Sequence, residues 1–151
     1  MDNLNKVEIL LIEDNENDAE LVVHALENNN LANNFFWVKD GDEALQFLFV
    51  TGPYSDRAVS SHPKSILLDL KLPKINGLEA LKKIRKVEQT RLIPVVIFTS
   101  SKEERDIINS YELGANSYIA KPLEFEDFVK TVADIVTYWL ALNRTLSQAK
   151  A

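Results

Sequence analysis

Four apolar runs of this sequence each deliver a reactive side chain at their carboxyl end. Val7-Glu8-Ile9-Leu10-Leu11-Ile12 runs into Glu13 and Asp14, and Ile66-Leu67-Leu68 into Asp69. Pro94-Val95-Val96-Ile97-Phe98 ends in Thr99, and Ser117-Tyr118-Ile119-Ala120 in Lys121. If these runs lie side by side, one cleft holds three carboxylates, a hydroxyl and an ammonium. Crowded carboxylates disfavour joint ionisation, and a divalent cation removes that penalty. An all-oxygen ligand set selects a hard ion. An incomplete set leaves positions for water and a phosphate oxygen, which suits Mg²⁺ better than Ca²⁺. Glu13 and Asp14 are the expected metal carboxylates, shared with Asp69, with the backbone carbonyl of Lys71 in reach. Mg²⁺ beside a Thr hydroxyl and a Lys ammonium suits phosphoryl transfer, which rests on positioning and charge neutralisation. The four glycines, Gly41, Gly52, Gly77 and Gly114, form no Gly-rich nucleotide cradle. A carboxylate can itself be the nucleophile and become an aspartyl phosphate, and Asp69, alone on its strand, is the candidate.

The elements that must position these groups follow from periodicity. An unbroken apolar run such as Ile66–Leu68 reads as a strand buried on both faces, as in a parallel sheet. In such sheets, chemistry collects at the carboxyl ends of the strands. Asn15-Glu16-Asn17-Asp18 starts a helix whose Ala19, Val22, Val23 and Leu26 share one face. The aromatic run Phe35–Val38 is a second strand, and Asp40-Gly41-Asp42 opens a helix with Ala44, Leu45, Leu48 and Phe49. A third helix carries Leu78, Leu81 and Ile84. A fourth, opened by Lys102–Asp106, carries Ile107, Ile108 and Tyr111 and closes at Gly114. The last runs from about Glu124 to beyond Leu142. Five strands alternating with five helices predict a doubly wound α/β domain with a five-stranded parallel sheet and an extended C-terminal helix. The turn-rich stretch from Thr51 to Lys64 reads as a surface loop on the far side of the sheet. His24 and His62 read as solvated, which leaves no Ser-His-Asp hydrolase to build.

With 151 residues, 46% of them hydrophobic and 26% charged, the chain has room for one domain with a good core. A net charge of −6 without a basic stripe argues against nucleic acid. Having no cysteine, the chain lacks disulfides, thiolate metal sites and Cys nucleophiles. No charged-then-apolar leader and no apolar stretch of about 18 residues are present, so a cytoplasmic protein without membrane insertion is expected.

Taken together, these pieces resemble the receiver domain of two-component response regulators, from about Lys6 to Leu142. They are Glu13-Asp14, Asp69 followed by Leu-Lys-Leu-Pro and Gly77, Thr99 closing the fourth strand, and Lys121-Pro122 closing the fifth. The resemblance implies a flavodoxin-like receiver with Asp69 as phospho-acceptor, Glu13 and Asp14 on Mg²⁺, and Thr99 and Lys121 on the phosphoryl oxygens. It implies too that Tyr118 is an aromatic switch that turns inward on activation, and that the bond before Pro122 is cis. Lys71 and Ser101 fall at variable positions that flank the site, and Ser100 is slightly larger than the very small residue the family keeps after Thr99. The long loop and the extended last helix are similar to stand-alone regulators that serve cyanobacterial phytochrome histidine kinases.

The expected division is a receiver at 6–142 and a short polar tail at 143–151. The expected function is a single-domain regulator, not an enzyme toward other substrates. It takes a phosphoryl group from a histidine kinase, which the narrower resemblance implies is a bacterial phytochrome, and signals by protein contact. A Mg²⁺-dependent aspartyl-phosphate phosphatase would want a second acid two residues after Asp69, where Lys71 stands. A degenerate module that never carries phosphate would not need all five site residues. On the last helix, Phe125, Phe128, Val129, Val132, Val136 and Trp139 form the stripe expected to seal it to the sheet. Thr131, Ile135, Tyr138 and Leu142 form a second stripe, expected to pair two copies as a homodimer.

Overall fold

The structure, a computed structural model, describes residues 4–30 and 34–146. Five strands, β1 (Ile9–Ile12), β2 (Phe35–Val38), β3 (Ser65–Leu68), β4 (Val95–Thr99) and β5 (Ser117–Ala120), alternate with five helices. These are α1 (Glu16–Asn28), α2 (Gly41–Phe49), α3 (Gly77–Lys86), α4 (Glu104–Glu112) and α5 (Phe125–Thr137). The strands form one sheet in the order β2-β1-β3-β4-β5, every neighbouring pair parallel. Order reverses between β1 and β3, which opens a crevice at their carboxyl ends.

Strand alternation divides the core in two. Leu10, Ile12, Ile66, Leu68, Val95 and Ile97 pack with α2 and α3 on one face. Leu11, Leu67, Val96 and Phe98 pack with α1 and α5 on the other. Each fully buried Leu or Ile contributes roughly 1.5–3 kcal/mol, and β3 has no exposed face, which is why its sequence does not alternate. Asparagine or aspartate caps start three of the helices. Asn15, Asp40 and Asn76 each accept the backbone N–H three residues on. Gly114 closes the turn after α4 at φ 102°.

Several expectations are corrected. β1 begins at Ile9, because Leu4–Lys6 forms a 3₁₀ turn. Ala25 and Phe47 take the buried places expected of Val23 and Phe49. On α4 only Ser110 is buried, while Ile108 and Tyr111 face solvent. The loop from Thr51 to Lys64 is not wholly a surface loop, since Tyr54 and Arg57 are buried beneath it and Tyr54 joins the core. The last helix does not run beyond Leu142. It passes from α5 into a π-helical turn, Tyr138–Leu142, and Asn143 is extended. Ile135 lies in the core with Phe128, Val132 and Val136, a spacing of four, seven and eight residues along one face, whereas Phe125 projects outward. The outer stripe expected of Ile135, Tyr138 and Leu142 therefore keeps only Tyr138 and Leu142 at the surface. No described peptide bond is cis, so the bond before Pro122 is trans, the isomer favoured intrinsically. Of the tail at 143–151, residues 147–151 lie outside the described residues.

Candidate functional site

Parallel register carries the reactive groups to one edge. Ile12 and Leu68 are partners, the Asp69 N–H donates to the Ile12 carbonyl at 3.1 Å, and the Lys121 N–H donates to the Thr99 carbonyl at 2.7 Å. Glu13, Asp69, Thr99 and Lys121 thus leave their strands side by side, and all four are buried. The Lys121 ammonium donates to Glu13 Oε1 at 2.6 Å, Asp18 Oδ2 at 2.7 Å and Asp69 Oδ2 at 2.9 Å. Carboxylate oxygens of Glu13, Asp14 and Asp69 come within 4.8 Å of one another, a group able to hold a metal ion. Asp14 is the exposed member of the group.

Charge in this cleft is unbalanced. Burial first, and the neighbouring charge of Asp69 second, push Glu13 up to about 7 against the pull of Lys121. Burial acts on Asp69 in the same direction, but the charge and hydrogen bond of Lys121, helped by the Thr99 hydroxyl, hold it below the ordinary carboxylate value. Lys121 is held above its ordinary value, since bonds to Asp18 and Glu13 outweigh the effect of burial. One ammonium is too little for this many acids, and an all-oxygen donor set short of positive charge fits a hard divalent cation.

Backbone around the site is tightly drawn. Gly77 donates its N–H to the Leu70 carbonyl, and a Cβ there would overlap the Asp69 carbonyl oxygen and lie 2.6 Å from Leu70 Cα. The Lys71 N–H donates to Asp69 Oδ1 at 3.3 Å. Beside the acids opens a cleft of about 550 Å³ lined by Asp14, Lys71, Pro73, Asn76 and Asp106 among others. Next to Thr99, Ser101 donates through Oγ to Asp106 Oδ2 at 2.6 Å, and its carbonyl accepts the Tyr118 hydroxyl at 2.9 Å. Tyr118, expected to turn inward on activation, is already half-buried against the first core cluster in this structure.

The structure thus brings together Glu13, Asp14, Asp69, Thr99 and Lys121, with Lys71 and Tyr118 at the margin. Two contributors were missed. Asp18, legible in sequence only as a helix-starting residue, lies in the first turn of α1 and is brought to the site by its bond to Lys121. Trp37, legible only as part of the second strand, donates its indole N–H to the Glu13 carbonyl at 2.7 Å. No sequence signal marks that bond.

A parallel α/β sheet with a carboxylate cluster able to hold a metal ion, a lysine and a threonine at its carboxyl edge is the arrangement of a phosphate-handling receiver. The chain belongs to the response regulator receiver domain family, whose model matches residues 9–133. It is 39% identical to the response regulator Rcp1 of Synechocystis sp., covering 87% of this chain and 88% of that protein. It is 41% identical to a probable methanogenesis regulatory protein, FilR2, of Methanothrix harundinacea, over 91% of this chain and 86% of that one. Among solved structures it is similar to the phosphorylated cyanobacterial phytochrome response regulator RcpA, with a TM-score of 0.85 at 37% identity, covering 91% and 96% of the two chains. The Mn²⁺-bound form of Rcp1 gives a TM-score of 0.83 at 37% identity with the same coverage.

Proposed function

We propose that this protein is a single-domain response regulator that accepts a phosphoryl group on Asp69 from a histidine kinase and signals through protein contacts. The observation that carries this reading is the Lys121 ammonium, buried within hydrogen-bond reach of both Asp69 and Glu13 beside the Thr99 hydroxyl. An Asp69 carboxylate oxygen attacks the phosphorus of a phosphohistidine. A P–O bond forms as the P–N bond breaks, and the imidazole nitrogen keeps the electron pair and takes a proton from solvent. Asp69 suits the task because its carboxyl is held in the ionised form. Lys121 and the Thr99 hydroxyl then donate to phosphoryl oxygens, and Tyr118 reads the movement of Thr99 through the Ser101 loop. Glu13, Asp14, Asp69 and the Lys71 carbonyl would hold Mg²⁺, which supplies positive charge to the phosphoryl oxygens. The Mn²⁺-bound form of Rcp1 supports a divalent ion in this family.

The likeness to RcpA supports a phytochrome histidine kinase as donor. The receiver spans 6–142, is no enzyme toward other substrates, and works in the cytoplasm; no described helix is long and apolar enough to cross a membrane. Two copies pair through the end of the last helix, where Tyr138 is 48% and Leu142 68% exposed. Tyr138→Asp combined with Leu142→Asp should sediment as a folded monomer, and a wild type that is monomeric at every concentration tested sinks the pairing.

Incubation with Mg²⁺ and phosphoramidate tests the central reading by mass. Wild type should gain one hydroxylamine-sensitive phosphoryl group and Asp69→Asn none. Incorporation by Asp69→Asn at the wild-type rate would falsify the assignment.

A further inference from the structure

Lys121 has three ammonium protons, and three carboxylates take them at 2.6, 2.7 and 2.9 Å. The acceptors are unequal. Side chains of Glu13 and Asp69 are 2% and 8% exposed and leave strand ends, whereas Asp18 is 27% exposed and rides on the first turn of α1. Asp18 also stands outside the group of Glu13, Asp14 and Asp69 whose oxygens converge as a metal site. Its contact within the site is with the lysine.

A phosphoryl group on Asp69 adds acceptor oxygens beside the carbonyl oxygen that Lys121 already holds, and a lysine that bonds both must release Glu13 or Asp18. Releasing Glu13 would strand an acceptor away from water, a costly step. Releasing Asp18 returns a partly exposed carboxylate to solvent. Resting on the acceptor reading above, we infer that Asp18 is a positioning residue that competes with the phosphoryl group for the Lys121 ammonium. The unphosphorylated site rests with its lysine drawn toward α1, and Asp18 sets how readily Asp69 is phosphorylated. Removing its charge should therefore speed the reaction, although Asp18 is itself no acceptor and no metal ligand.

Two measurements on the full chain test this, with Asp18→Asn, Asp18→Glu and wild type compared. In metal-free, unphosphorylated protein, the Lys121 ammonium protons are followed by nitrogen-edited NMR. They should exchange with water severalfold faster in Asp18→Asn than in wild type, and near the wild-type rate in Asp18→Glu. Next, the initial rate of phosphorylation by phosphoramidate is taken at saturating Mg²⁺. Asp18→Asn should react about two- to fivefold faster, the range for loss of a partly exposed ion pair. The ratio should hold in about 0.5 M salt, where the screening length falls to a few ångströms and long-range repulsion of an anionic donor fades.

Unchanged ammonium exchange in Asp18→Asn, or equal rates, overturns the inference. So does a ratio that collapses at high salt, which would leave only general charge repulsion, or one that follows a change in the Mg²⁺ concentration for half-saturation. A merely structural role for Asp18 in the first turn of α1 would lower the melting temperature without raising the rate, and that result overturns it too. A wild type that takes up no phosphoryl group sinks the acceptor reading and the competition with it. A phosphorylated wild type matched by Asp18→Asn overturns the competition alone.

Discussion

Two cations are buried at opposite ends of this sheet, Lys121 at the carboxyl ends of the strands and Arg57 at the amino ends, and they are held by opposite means. Lys121 is ringed by Glu13, Asp18 and Asp69. Arg57 meets no carboxylate among the described residues. Its guanidinium donates to the Phe47 and Ser61 carbonyls and lies 3.8 Å from the centre of the Phe47 ring, and its Nε finds no hydrogen-bond partner. The Phe47 carbonyl belongs to the last turn of α2, where helical carbonyls lack internal partners and a cation is favourable. Burial lowers the proton affinity of Arg57, whereas at Lys121 the carboxylates more than reverse the same effect. One cation neutralises a surplus of acid whose partners can be exchanged. The other is a clasp that ties a loop to a helix end. Burial alone does not separate the two; the charge of the partners does.

Removing each cation should sharpen that contrast, and the largest effect belongs to Lys121. Lys121→Met leaves Glu13 and Asp69 buried together without a counter-charge, which should cost about 3–5 kcal/mol in metal-free protein at neutral pH. Saturating Mg²⁺ should recover a good part of it, because the ion replaces the missing charge. Urea denaturation with and without Mg²⁺ decides this, and a loss indifferent to Mg²⁺ would break the comparison. Arg57→Met should cost less, about 2–3 kcal/mol, as two carbonyls and a ring lose their partner. Mg²⁺ should restore none of that, and phosphorylation should stay within about twofold of wild type by the same reasoning from position. Arg57→Lys should rescue less than half, because a single ammonium cannot reproduce the guanidinium fork.

The two poles also differ in how far they can be read from sequence. Glu13, Asp69, Thr99 and Lys121 were legible because each ends an apolar run, and a parallel sheet turns four strand ends into one place. Asp18 was not, since an acid in a first helical turn already has a sufficient explanation as a cap or dipole partner. Arg57 was hidden more deeply. A turn-rich stretch ordinarily lies in solvent, and nothing in Tyr54-Ser55-Asp56-Arg57 tells that its aromatic and its cation fold under onto α2. Ile135 was misplaced for a different reason. Two apolar stripes overlap on α5, and only the position of the sheet decides which one is inside. The short turn before β1 and the π-helical turn after α5 are end effects of a kind periodicity does not resolve.

The smallest expected effect separates the poles by the sign of their pH dependence. At the site, Glu13 has a folded pKa of about 7 against 4.5 as a free side chain. Between those values the folded protein keeps a proton that the unfolded chain has released, so the contribution of Glu13, full below 4.5, is lost as pH rises through about 7. At the other pole His62 is half-buried, and burial, with the charge of Arg57 second, lowers its pKa below 6.5. Its contribution has the opposite sign: it is present above 6.5 and lost as pH falls through the depressed folded value. In metal-free wild type the two slopes oppose each other between about pH 5 and 7, and the larger displacement, that of Glu13, should win. Glu13→Gln should reverse the slope, so that stability rises with pH across this window, and His62→Gln should steepen the wild-type fall. Mg²⁺ should flatten the contribution of Glu13 alone, because binding stabilises its ionised form. Denaturation midpoints at four or five pH values are enough to resolve this. A wild-type slope unaltered by Glu13→Gln would show that the acid cluster does not set the pH dependence and that the two poles are electrically alike.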